Sequence, residues 1–195
     1  MLYPFFYGLS RWLAYIGGAM LVLLVLLTCA SIAGRELNGV LFWMVDEGWF
    51  AGAAQWLIDH GVGPIDGDFE LIEAGVAFAI FAFLPLCHIT GSHASVDIFT
   101  NSMSPRVNRV LRMVTEVVFA AVLVLIAVQL FAGMQSKLRT GQTTFLLQFP
   151  IWWAYALSLF GAVIAAIVGV YLALVRMQEM LKGQALIPAG SEFDH

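Results

Sequence analysis

From Leu13 to Gly34 the chain carries no charged side chain, and about 20 consecutive apolar residues are enough to cross a bilayer as a helix. Ala74 to Val96 is a second such run, broken only by His88 and His93, and Val117 to Ser136 is a third. The fourth, Thr140 to Val175, is too long for one crossing. Its head, Gly141-Gln142-Thr143-Thr144, reads as loop, and Pro150 suits a first helical position. The expectation is an all-α integral membrane protein, a single membrane domain over residues 1–195. Its four transmembrane helices fall at about 12–34, 71–91, 110–135 and 150–175, followed by a tail over 176–195. The apolar core of the first run exceeds the about 7–15 residues of a signal-peptide core, so it is expected to persist as a membrane anchor.

Composition points the same way. Hydrophobic residues make up 61% of the chain and charged residues 11%, where a soluble domain carries about 45–50% and about 25%. A water-soluble globular enzyme is excluded by the excess of apolar surface, and disorder by the same excess. Nine scattered Lys and Arg in a chain of net charge −4 form no basic face for nucleic acid. Cys29 and Cys87 both lie in apolar runs and support neither a disulfide framework nor a zinc site.

Basic residues favour the cytoplasmic side of a membrane. Arg11, Arg106, Arg109, Arg112, Arg176 and Lys182 belong to the two termini and the connection between helices 2 and 3, against Arg35, Lys137 and Arg139 in the other two connections. Both termini are therefore expected in the cytoplasm, and the acidic first connection outside. Within that connection Phe42, Val45, Trp49, Ala53, Trp56 and Leu57 recur at helical spacing, with Glu47, Gln55 and Asp59 on the other side. The spacing predicts an amphipathic helix over about 41–59, lying in the outer interface with Trp43, Trp49 and Trp56 as anchors. The same pattern permits a helix packed on top of the bundle. Gly61, Gly63, Pro64 and Gly67 end it. Asp68 is then the expected N-cap of helix 2, with Glu70 and Glu73 complementing the helix dipole.

Three packing features follow. Gly161, Ala165, Gly169 and Ala173 form a ridge of small side chains along helix 4, which lets another helix approach closely, in this chain or in a second one. Pro85 is expected to kink helix 2 and free the carbonyl of Phe81. Arg112 and Glu116, four residues apart, are expected to pair.

Chemistry-bearing groups are few. The central thirds of the four spans lack Asp, Glu, Lys and Arg, whereas moving ions through a membrane calls for ionisable groups at mid-depth. Gln129 is the most deeply placed strong polar group, and an interhelical hydrogen bond is its ordinary use. Cys87, His88, His93 and Asp97 are the one metal-capable cluster, and they read as a polar loop capping helix ends rather than a metal site. No cofactor is implied. Two other classes stay open at this point: a self-sufficient four-helix channel or exporter, with Gln129 and Ser158 as its only pore candidates, and a redox subunit using His88 and His93.

Three stretches carry a family resemblance. They are Gly67-Asp68-Phe69-Glu70-Leu71-Ile72-Glu73, Gly91-Ser92-His93-Ala94-Ser95-Val96-Asp97-Ile98-Phe99 with Pro105-Arg106 after it, and Gly141-Gln142-Thr143-Thr144 followed by Phe149-Pro150-Ile151-Trp152-Trp153-Ala154-Tyr155. In this order, over roughly residues 10–175, the chain resembles the small (Q-type) membrane subunit of tripartite ATP-independent periplasmic (TRAP) transporters. The resemblance implies a non-catalytic scaffold in the bacterial inner membrane. Its implied partners are a large multispanning subunit holding the sodium and substrate sites, a periplasmic solute-binding protein and membrane lipids. Uptake of a carboxylate-type solute would be driven by an ion gradient. On this reading Gly91, His93, Asp97 and Arg106 organise the cytoplasmic turn, and Asp46, Glu47 and Asp59 are candidates for docking the periplasmic partner.

Overall fold

A computed structural model describes residues 2–91 and 104–182, and among these it is all-helical. Helix α1 spans Leu2–Asp46, α2 Ala51–Asp59, α3 Asp68–Thr90, α4 Pro105–Thr140 and α5 Trp152–Lys182. Four of them, all but α2, are long and apolar enough to cross a membrane.

The crossings form a row in the order α1, α3, α5, α4, each packed on the next, with α2 folded against α1. Burial follows the row. In the most apolar stretch of each helix, 56% of α5 and 39% of α3 is buried, against 17% of α1 and 11% of α4. The α1–α3–α5 contact is built from Leu13, Phe78, Ala82, Ile89, Ile164, Val168 and Leu172, and the α5–α4 contact from Ala165, Ala166 and Leu123.

Small residues set how closely the helices approach. A Cβ on Gly17 of α1 would lie 2.8 Å from the Cβ of Ala82, and one on Gly75 of α3 would lie 2.8 Å from Leu24, which fixes an antiparallel register between the two helices. On α5, Gly161 sits over the backbone of Phe81: a Cβ there would be 3.0 Å from its carbonyl carbon and 3.2 Å from its oxygen. That is the carbonyl four residues before Pro85, which has no N–H to offer it. Gly169 abuts Leu123 and Ala120 of α4, and Ala165 and Ala173 are buried with it. The ridge of α5 thus serves α3 at one level and α4 at another.

The elements differ from the sequence expectations at their ends. The helix expected at 12–34 runs from Leu2 to Asp46, about 67 Å at 1.5 Å per residue. Charges at Arg35 and Glu36 bound an apolar run, but they do not stop a helix. The helices expected to begin at 110 and end at 135 and 175 likewise extend beyond those points into polar sequence. The amphipathic helix expected over 41–59 is divided: residues 41–46 complete α1, and α2 follows a turn with Gly48 and Phe50 at φ 74° and 49°. Gly67, at φ 77°, takes the N-cap position expected of Asp68, whose carboxylate instead accepts from the N–H of Phe69 at 2.7 Å. Pro150 precedes α5, its carbonyl accepting from Trp153 N–H at 3.1 Å. Glu116 turns from Arg112 to His88 of α3, with Nε2 to Oε2 at 3.0 Å, an ion-pair approach not aligned as a hydrogen bond.

At one end of the row the α2–α3 connection is clamped onto α1. Asn38 donates to the carbonyl of Val62 at 2.8 Å, the N–H of Ile65 donates to Ser31 Oγ at 3.3 Å, and a Cβ on Gly34 would collide with the carbonyl of Gly63. At the other end Phe6 of α1 meets Tyr171 of α5, with ring centroids 4.7 Å apart.

Gly161→Leu and Gly169→Leu should each destabilise the folded chain by about 1–3 kcal/mol, the usual cost of overpacking. Gly39→Leu, at a position with open space around it, should leave stability unchanged. Unfolding in detergent, followed by circular dichroism, checks all three.

Candidate functional site

The first and third of the sequence stretches that stood out, far apart in the chain, meet at the end of the row that carries the α2–α3 connection. The α4–α5 loop opens with Gly141 at φ 63°, which ends α4. It is then closed like a small hairpin. Thr144 N–H donates to Phe149 carbonyl at 2.9 Å, and Ile151 N–H donates to Gln142 carbonyl at 3.1 Å. Side chains lock the turn from within. Thr143 Oγ1 donates to Gln148 Oε1 at 3.0 Å, Gln148 Nε2 donates to Phe145 carbonyl at 2.8 Å, and Thr144 Oγ1 accepts from Phe149 N–H at 3.3 Å. Lys137 Nζ donates to Gln142 Oε1 at 2.6 Å.

Glu70, in the first turn of α3, holds this loop to the bundle. One carboxylate oxygen accepts from Leu146 N–H at 2.7 Å and the other from Leu147 N–H at 3.0 Å. Charge-assisted bonds of this kind are stronger than neutral ones, and two together fix orientation as well as position. Gly67 completes the seat, because any Cβ there would collide with the side chain of Leu147. Phe145 projects from the loop, 88% exposed, beside the exposed Leu146, and Phe69 is exposed on α3.

Trp43, Trp49 and Trp56 are exposed in the part of the chain that ends α1, forms the turn and builds α2, and Trp56 stacks on His60 at 4.0 Å. Asp46, Glu47 and Asp59 are exposed there too, with Asp59 accepting from Gln55 at 2.8 Å. At the opposite end Gly91 terminates α3 with φ 65°, and Arg106 is exposed in the first turn of α4. His93 and Asp97 lie outside the described residues. The ring of His88 is buried against Glu116 and within 5.4 Å of the Phe119 ring. Gln129 is exposed on α4 and makes no hydrogen bond to any described residue, so its expected interhelical bond is not made within the described chain.

Sequence reasoning singled out Glu70 only as a dipole-complementing acid. Its bonds reach 76 and 77 residues along the chain, and no local pattern announces them. The grip of Ser31, Gly34 and Asn38 on residues 62–65 was missed too, although the three lie on one face of α1 at helical spacing.

The geometry defines a multi-pass membrane protein whose ordered polar structure is concentrated at the ends of an apolar bundle. The family model described as tripartite ATP-independent periplasmic transporters, DctQ component, matches residues 61–179, and the chain belongs to that family. It is accordingly a small component of a TRAP transporter. No curated protein and no solved structure gives a match.

Glu70→Ala should free the 143–149 loop. Faster amide hydrogen exchange at Leu146 and Leu147, with α1 unchanged, is the expected outcome; unaltered protection would show that the loop holds itself.

Proposed function

We propose that the chain is a non-catalytic scaffold in the bacterial inner membrane. It supports a large multispanning subunit in ion-gradient-driven, ATP-independent uptake of a carboxylate-type solute delivered by a periplasmic binding protein. Family membership over residues 61–179 carries the reading. The lack of Asp, Glu, Lys and Arg in the central thirds of the spans supports the scaffold role, since the coupled ions would find their ligands in another subunit. The distribution of Lys and Arg supports cytoplasmic termini, with the loop held by Glu70 on the periplasmic side.

The exposed flank of α4 is the surface we assign to the large subunit. Val118, Val122, Leu125 and Gln129 follow one another at helical spacing and are all exposed. The first three would suit lipid equally well. An amide in mid-membrane facing hydrocarbon is costly, and a neighbouring protein helix can satisfy it.

Pull-down of the tagged chain from its native membrane in mild detergent should bring a stoichiometric large membrane protein and a periplasmic solute-binding protein. Recovery of the chain alone as a homo-oligomer would overturn the reading. A cysteine at Gln129 should cross-link to the large subunit, while one at the buried Val168 should not. Neutralising Asp46, Glu47 and Asp59 together should lower uptake if these residues dock the binding protein; full uptake would make them a solvated face.

A further inference from the structure

Between α3, α4 and α5, beneath the loop held by Glu70, lies a cavity of about 310 Å³. Its origin is a change of side-chain size along the α3–α5 contact. At Gly161 the helices meet backbone to side chain against Phe81. Nearer the loop, Ala74 and Ala77 of α3 look toward Ala154 and Ser158 of α5, and these small residues leave space between the helices. Tyr155 forms another wall, its ring pressed onto Gly133 of α4, where a Cβ would lie 2.6 Å from the ring.

The lining of the cavity runs along α3 from Glu70 to Phe81, about 16 Å at 1.5 Å per residue. Most of its surface is apolar, and two of its polar groups, Ser158 and Glu73, have no hydrogen-bond partner among the described residues. Ser158 is only 3% exposed, yet its hydroxyl makes no hydrogen bond to any described residue. Thr28, Thr90, Thr115 and Thr140 instead turn their hydroxyls back to the carbonyl four residues earlier. A buried hydroxyl facing a cavity calls for a partner there. Both carboxylate oxygens of Glu70 are occupied by the loop, whereas Glu73, in the second turn of α3, lines the cavity with no ion pair or hydrogen bond to any described residue. No Lys or Arg is among the lining residues.

We propose that this cavity is a binding site for an aminophospholipid of the leaflet at that end of the bundle. One acyl chain lies between Ala77, Phe81 and Leu130, a polar linkage of the lipid meets the Ser158 hydroxyl, and the ammonium headgroup meets Glu73. The Glu73 carboxylate selects against a purely anionic headgroup. The bound lipid would fill the gap between α3 and α5 where their own side chains do not touch.

The full chain, purified with whatever subunits accompany it, is exposed to phosphatidylethanolamine or phosphatidylglycerol carrying a diazirine in the acyl chain. Photolabelled residues are then mapped by mass spectrometry. Phosphatidylethanolamine should label the 74–81 and 154–158 segments about fivefold more than phosphatidylglycerol, the ratio expected of one interfacial charge. Glu73→Lys, a change at an exposed position, should reverse that preference without altering the circular dichroism of the chain. Labelling spread evenly over the outer helix faces, or a headgroup ratio unmoved by Glu73→Lys, would overturn the proposal. So would a photo-crosslinker at Ala77 that captures another subunit in place of lipid.

Discussion

The close approach of α5 to both its neighbours is what the rest of the bundle depends on. Lipid tails are as apolar as leucine, so burying apolar side chains between helices in a membrane gains little from the hydrophobic effect. Association rests on dispersion contacts and close fit. α5 supplies that fit twice, at Gly161 over the backbone of Phe81 and at Gly169 against Ala120 and Leu123. With both contacts on one helix, α5 occupies an inner position and α4 an edge. The same seam places the carbonyl left without its helical N–H by Pro85 beside a glycine, where no side chain crowds it.

Away from this seam the cohesive interactions turn polar and gather at the ends. Ser31 and Asn38 tie the α2–α3 connection to α1, and Glu70 ties the α4–α5 loop to α3. Hydrogen bonds at these depths compete with water and headgroups, which is why a carboxylate bonded to two amides is used where the loop must hold one position. At the other end the buried His88 and Glu116 draw α3 and α4 together, although these helices share little other contact. An apolar middle and pinned ends are consistent with the scaffold role proposed above, because neither region needs to rearrange.

Much of this was legible in the chain. Uncharged runs reveal four crossings because the bilayer imposes a length, and the fourfold spacing of Gly161, Ala165, Gly169 and Ala173 reveals a contact face because small residues have no other reason to align. Helix ends were less legible. Hydropathy marks where a helix leaves the hydrocarbon, whereas a helix continues until a residue such as Gly48, Gly91 or Gly141 leaves the helical backbone region. Glu116 shows a further limit: spacing along one helix offered Arg112 as its partner, but burial against α3 favoured His88.

The sequence by itself determined the class of protein, the number of crossings and the family, all of which follow from local composition and ordered short motifs. Only the tertiary structure decided that Glu70 seats the 143–149 loop, that the α5 ridge serves two helices of its own chain, that Gln129 faces outward, and that a cavity remains above Gly161. Each of these depends on which faces of distant segments are brought together. The packing of whole helices sets that, and no single stretch of residues encodes it.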